Sequence, residues 1–282
     1  MSAGSIPVLV TGGTGTLGRA VVARLREGGH AVRVLSRRPR PAEGGGPGAR
    51  RAEAGRQETP AGPDVPEWVT GDLCTGEGLD AAVSGVAGII HCATTGSGKD
   101  VVAARQLTEA ARRAGGEAHL VHISIVGVDR VPFFYYRAKL ESERVVQDSG
   151  LSWSLLRTTQ FHDLIARVTT VQRKLPVTLS PAGMTAQPID VSEVAERLVT
   201  LAQGPPAGRV ADMGGPEVRT ARELAQLTLH AYGLRRPVLS VPLPGRAARA
   251  YRAGHHTAPE HAVGRVTYAE YLTAAAARAK RG

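Results

Sequence analysis

At 282 residues, 42% apolar and 21% charged, the chain is long enough for one large α/β domain, or for a domain of about 150 residues with a smaller lobe. Its net charge of +10 comes mainly from scattered arginines with no nucleic-acid-binding motif beside them, so no nucleic acid is expected and part of the charge is assigned to an anionic cofactor. Two cysteines without CxxC spacing and nine histidines without ligand spacing exclude a disulfide framework and a metal pattern; with no membrane-length apolar run and no secretion-signal layout, a cytoplasmic protein without metal or membrane partner is expected.

In chain order, "IPVLVTGG" (residues 6–13) is a β-branched run stopped by glycines, and "TLGRAVVARLREGG" then places Leu17, Val21 and Leu25 at helical spacing. "HAVRVLSRRP", "EWVTGDL", "VAGIIHCAT" and "EAHLVHISIVG" read as strands two to five, with helical patterns at 99–114 and 136–149. "LSWSLLRTTQF" reads as a sixth strand, and "PIDVSEVAERLVTLAQG" as a helix capped by Asp190 or Ser192. Strands alternating with helices predict an α/β fold, a doubly wound parallel sheet covered on both faces. Residues 39–66, rich in Pro and Gly, interrupt this order and read either as a disordered surface insertion or as a sign that the assignment fails there. The predicted division is a nucleotide-binding domain over 1–157 and a smaller substrate lobe over 158–282 that returns to the main sheet.

The turn Thr11, Gly12, Gly13, Thr14, Gly15, Thr16, Leu17, Gly18 contains GxGxxG, after a strand and at the start of a helix. Glycines there let the backbone approach a pyrophosphate, and the helix N-terminus offers it free N–H groups. An NAD site places an acid at the end of the second strand. This chain has Ser36, Arg37 and Arg38, a hydroxyl and two guanidiniums suited to a 2′-phosphate, so NADP(H) is the expected cofactor.

Carbonyl reduction also needs a proton donor. "FFYYRAK" puts Tyr135 four residues, and Tyr136 three, before Lys139, so either phenol shares a helix face with the ammonium; simple packing of the aromatics is the other reading.

"TGGTGTLG", "GDL", "HCAT", "HISIVGVD", "YYRAKLESE", "LRTTQF" and "PLPGRAARAYRAG" together resemble the short-chain dehydrogenase/reductase superfamily, in its atypical NmrA-like branch. The resemblance implies a Rossmann-type fold and picks Tyr135 from its YxxxK pattern as proton donor. It implies that Lys139 holds the nicotinamide ribose and that Ser124 polarises the substrate carbonyl. By the same resemblance Asp72 and Leu73 sit by the adenine, Ala93 and Thr94 line the cofactor cleft, and Gln160 and Phe161 lie near the nicotinamide. Two departures are visible: Ser124 and Tyr135 are closer in sequence than in the best-known members, and Arg157 is followed by Thr158 and Thr159 where many relatives carry proline.

The leading expectation is an NADPH-dependent oxidoreductase that reduces a small carbonyl, quinone or enone-like molecule, with Phe133, Phe134 and Phe161 walling a flat substrate. The alternatives are a non-enzymatic NADP(H)-binding redox sensor of NmrA type and, ranked lower, a nucleotide-sugar epimerase.

Overall fold

Runs of β-branched and leucine side chains, alternating in direction along each strand, build the centre of the molecule. The computed structural model describes residues 6–39 and 65–279, so the stretch expected as an insertion at 39–66 lies, apart from its ends, outside the described residues. The elements run β1 (Val8–Thr11), α1 (Thr16–Glu27), β2 (Val32–Ser36), β3 (Glu67–Thr70), α2 (Leu79–Val83), β4 (Gly88–His91), α3 (Lys99–Arg113), β5 (His119–Ile125), α4 (Phe134–Gln147) and β6 (Trp153–Thr158). There follow α5 (His162–Thr170), β7 (Thr178–Pro181), β8 (Thr185–Ala186), α6 (Val191–Gln203), β9 (Gly208–Arg209), β10 (Arg219–Thr220), α7 (Ala221–Ala231), β11 (Val238–Val241), α8 (Arg246–Arg252) and α9 (Tyr268–Ala279).

Seven strands pair in the order β3-β2-β1-β4-β5-β6-β9, every pair parallel. This is the predicted Rossmann-type sheet. Val8 and Val10 point to one face, where Leu17, Val21 and Leu25 of α1 and Val194 and Leu198 of α6 cover them. Leu9 points to the other, against Leu79 of α2 and Leu107 and Ala110 of α3. Both faces are therefore dry, as a parallel sheet requires.

After β6 the chain rejoins this sheet through α6 and β9 and also forms two small pairs, β10 with β8 and β11 with β7. Helices α5, α7 and α9 pack around Leu224, Tyr268 and Leu272. Asp190 caps α6 as expected, its carboxylate accepting the Ser192 N–H at 2.8 Å. Among the described residues, no helix is long and apolar enough to cross a membrane.

Helix α4 starts at Phe134, two residues before the expected 136. Phe133, extended at φ −117°, takes the N-cap position directly after Pro132, and Tyr135 therefore lies in the first helical turn. What holds this helix to the sheet is a buried ion cluster. Arg157 of β6 donates from Nε to Glu143 Oε1 at 2.9 Å and from Nη2 to Oε2 at 2.6 Å, and from Nη1 to Asp129 Oδ2 at 3.0 Å. Glu143, on α4, is 1% exposed.

Removing one partner of such a pair leaves an uncompensated charge, which costs about 3–5 kcal/mol, whereas replacing both with apolar side chains is often near neutral. Arg157→Met should accordingly lower the urea unfolding free energy by about that amount, and the double change Arg157→Met with Glu143→Leu should recover most of it. A single mutant as stable as the double would show that the cluster does not hold α4.

Candidate cofactor and catalytic site

The order β3-β2-β1-β4 places the reversal of strand order between β1 and β4, where open sheets of this kind bind ligands beyond the strands' carboxyl ends. Thr11 ends β1 and the glycine turn follows. Gly12 has φ +70°, and a Cβ there would lie 2.7 Å from the backbone of Ala93, so only glycine lets this turn rest on the segment after β4. Gly15 is different. Its φ is −77°, and the nearest atom a Cβ would meet is the Gly12 carbonyl oxygen at 3.2 Å, so its missing side chain leaves an opening toward solvent.

Gly15 is also the N-cap of α1, without a side-chain cap and without an acid in the first turn. Among the described residues, no acceptor competes for the first N–H groups of α1, which face that opening. A pyrophosphate fits that cradle.

At the end of β2, Ser36 Oγ accepts the Arg38 N–H at 3.1 Å, which leaves the hydroxyl proton free to be donated. Arg37 and Arg38 are exposed there. Asp72, after β3, uses Oδ1 to accept the Cys74 N–H at 2.7 Å, and Leu73 packs against the core beneath α2 and α3. Ala93 and Thr94 follow β4 directly.

Beneath these strand ends lies a polar band that the sequence reading did not contain. Thr11 Oγ1 bonds His91 Nδ1 at 2.7 Å, and the rings of His91 and His122 stack at 5.2 Å. Burial, followed by the charge of Lys139, pushes His91 down to about 3 against the opposing pull of Asp100. Burial, then the charges of His91 and Lys139, holds His122 well below the ordinary histidine value. Both rings are neutral in the fold. Burial pushes the neighbouring Cys92 thiol up to about 12, so it is inert as a nucleophile.

Lys139 is 3% exposed, and its Nζ stands 3.9 Å from Asp100 Oδ2. Asp100, at the start of α3, also accepts the Thr94 hydroxyl at 2.6 Å, the Thr95 N–H at 2.6 Å and the Thr95 hydroxyl at 2.7 Å. Thr94 Oγ1 in turn lies 3.4 Å from the Tyr135 hydroxyl. Tyr135 is half-buried, and burial raises its pKa. Tyr136 is buried and packs edge-on to Tyr135 and Phe133 and against the Tyr251 ring; burial raises it far.

Ser124, one residue from the end of β5, is buried and its Oγ has no partner in the structure. Gln160 bridges to the tail, its Nε2 donating to the His256 carbonyl at 3.1 Å. Phe161 packs against the core between the sheet and α6, whereas Phe133 and Phe134 are exposed at 38% and 66% and touch each other. The residues read from the sequence thus follow the ends of β1 to β6, with Thr94 and Tyr135 brought together directly. Missed were Asp100, His91 and His122; an acid in the first turn of the helix after "HCAT" was the one signal available for the first.

A family model described as NAD(P)H-binding matches residues 12–205. The chain is 31% identical, over 78% of its own length and 72% of the other's, to the (4-alkanoyl-5-oxo-2,5-dihydrofuran-3-yl)methyl phosphate reductase of Streptomyces griseus. Among solved structures it resembles an NADPH-dependent quinone oxidoreductase from Escherichia coli complexed with NADPH, at TM-score 0.74 and 16% identity over 95% of this chain and 99% of that one. It also resembles a nucleoside-diphosphate-sugar epimerase from Staphylococcus aureus, at TM-score 0.72 and 16% identity over 95% of this chain and 100% of that one. Such structural likeness shows a shared fold, which serves both chemistries.

The neutral imidazoles carry a consequence for stability. Their folded pKa values lie below the unfolded 6.5, so between pH 6.5 and about 3 the unfolded chain binds more protons. The stability they contribute is complete above pH 6.5 and is lost as pH falls toward about 3. Urea midpoints should fall below pH 6.5, and His122→Phe, which removes two ring nitrogens without partners, should flatten that fall with little loss at neutral pH. An unchanged slope would rule these imidazoles out as the titrating groups.

Proposed function

From the premise that this chain belongs to the NAD(P)H-binding family, we propose that it is an NADPH-dependent reductase of a small enone, quinone or other conjugated carbonyl compound. The observation that carries the reading is the line of polar groups from Tyr135 through Thr94 and Asp100 to Lys139, set beside the β1–β4 crevice. In this reading the half-buried phenol meets a reacting oxygen in the crevice, with a buried cation one helical turn behind it. The Streptomyces relative's name describes an acyl-bearing dihydrofuranone, which is itself an enone, and supports the same substrate class.

The free N–H groups of α1 hold the pyrophosphate, and Ser36, Arg37 and Arg38 hold a 2′-phosphate, which makes NADP(H) the preferred cofactor over NAD(H). When bound, the reduced nicotinamide supplies a hydride to the acceptor. Tyr135 gives the proton that balances it, Lys139 supports the phenolate that forms, and Ser124 steadies the substrate oxygen. Phe133, exposed beside this helix start, offers an apolar wall for a flat substrate. Residues beyond 158 act as the substrate lobe.

One observation favours a second reading, a non-enzymatic sensor of NADP(H). Burial holds Tyr135 above the ordinary phenol value, and the charge recorded beside Lys139 is that of Asp100. The two readings part in one experiment. With a panel of quinones and enones, NADPH absorbance should fall in the presence of the protein, and Tyr135→Phe should slow that loss by about 10²–10⁴-fold with NADPH affinity kept. If no acceptor is reduced while NADPH and NADP⁺ bind with unequal affinity, the sensor takes the reductase's place.

Cofactor choice is tested separately. NADPH should bind at least about tenfold more tightly than NADH, and Arg37→Ala should erode that preference by weakening NADPH alone. Equal weakening of both cofactors by Arg37→Ala would rule out a 2′-phosphate contact.

A further inference from the structure

Lys139 is one of four lysines in the chain, with Lys99, Lys174 and Lys280, and it is buried whereas Lys99 and Lys174 are exposed. An ammonium in such a place must be paired or lose its proton. The groups that face it are Asp100 from α3, His91 from β4 and Cys92 just after it, His122 from β5 and Glu143 from its own helix. The two imidazoles and the thiol are neutral, and Glu143 is engaged by both ends of the Arg157 fork. That leaves the carboxylate of Asp100 as the charge within ion-pair distance, at 3.9 Å.

Asp100 does more than face Lys139. Three donors from the segment after β4 converge on it, the Thr94 hydroxyl on Oδ2 and the Thr95 N–H and hydroxyl on Oδ1. Because Thr94 gives its proton to Asp100, its oxygen is turned to accept at 3.4 Å from the Tyr135 hydroxyl. One carboxylate thus orients the hydroxyl that meets the phenol and faces the ammonium one turn behind it.

We infer that Asp100 is the positioning residue of this site: it keeps Lys139 charged in the core and holds the Thr94 hydroxyl against Tyr135. This rests on the reductase reading for its part in turnover, and on geometry alone for its part in the charge of Lys139. Burial lowers the pKa of Lys139, and the carboxylate of Asp100 opposes the fall, so neutralising Asp100 lowers it further.

The charge is read without any substrate. In protein labelled at lysine ¹³Cε, the Lys139 signal is identified by its loss in Lys139→Arg, and its titration is followed by NMR. In Asp100→Asn the Lys139 midpoint should drop by about one to three pH units, while Asp100→Glu, which keeps the charge, should restore it. Asp100→Ser is a second neutral variant for the case in which Asp100→Asn does not fold. A Lys139 midpoint that stays in place in a folded neutral variant overturns the inference.

Turnover of 1,4-benzoquinone with NADPH is the second arm. Asp100→Asn should lower kcat at least tenfold, move the alkaline limb of the kcat profile to lower pH, and leave NADPH affinity within about threefold; Asp100→Glu should recover part of the rate. A fall in kcat with the alkaline limb unmoved would reduce Asp100 to a loop anchor and overturn its role in catalysis. If the midpoint shifts as expected while the unaltered protein fails to oxidise NADPH whatever acceptor is supplied, the reductase reading fails and the role of Asp100 in charging Lys139 stands.

Discussion

A guanidinium inside a parallel sheet has to be met on every side, and Arg157 is met by Glu143 from α4 and by Asp129 from the loop that leads into α4. That requirement sets where the helix bearing Tyr135 and Lys139 lies. Apolar packing alone would leave α4 free to slide along β5 and β6, because leucine and valine contacts are forgiving of small shifts. A two-pronged ion pair is not forgiving in distance or plane. After Arg157, Thr159 donates its N–H to the Met213 carbonyl and its hydroxyl accepts the Gly215 N–H at 3.3 Å, ties that a proline at 159 could not make.

Along each strand the chemistry changes from dry to polar. Leu9, Ile89 and Leu120 lie toward the strand starts on the α3 and α4 face, while Thr11, His91, His122 and Ser124 succeed them on that face toward the ends. Three of these polar atoms lack a partner among the described residues, both ring nitrogens of His122 and the Ser124 hydroxyl. Buried groups left this way cost stability and concentrate where function is carried. The band therefore reads as one half of a site whose other half is the glycine turn across the crevice, and Lys139 belongs to both the core and the site.

What was legible in the chain follows from how local each signal is. The turn from Thr11 to Gly18 is readable because strand, glycine spacing and helix start all fall within a few residues. Asp190 is readable as a cap for the same reason. Thr220 with Glu223, and Thr267 with Glu270, are equally local capping boxes in "TARE" and "TYAE" and mark the starts of α7 and α9. The start of α4 was read two residues late because an aromatic run carries no polar cap, and only Phe133 in extended geometry shows where the turn begins. By contrast, the stack of His91 on His122, the approach of Asp100 to Lys139, and the Arg157 cluster join residues from different elements. No short window of sequence contains such pairs.

The tail shows the same limit at longer range, with a consequence for specificity. Gly127, in the loop after β5, has φ +77° and lies directly against the His255 carbonyl, where any side chain would collide with it. His256 accepts the Gln160 amide on its backbone and bonds the Thr185 carbonyl through Nε2 at 2.7 Å, while its ring packs on Tyr251, which packs on Tyr136. Gln187, fully buried, ties Gly215 and Ala258 together. Residues from α8 to the segment before α9 are therefore fastened to the carboxyl ends of β5 and β6, beside the phenols and away from the glycine turn. On the proposed reading, the cofactor half of the site draws on the first six strands while the last quarter of the chain borders the reacting end, so that chemistry and substrate choice would rest on different parts of one chain.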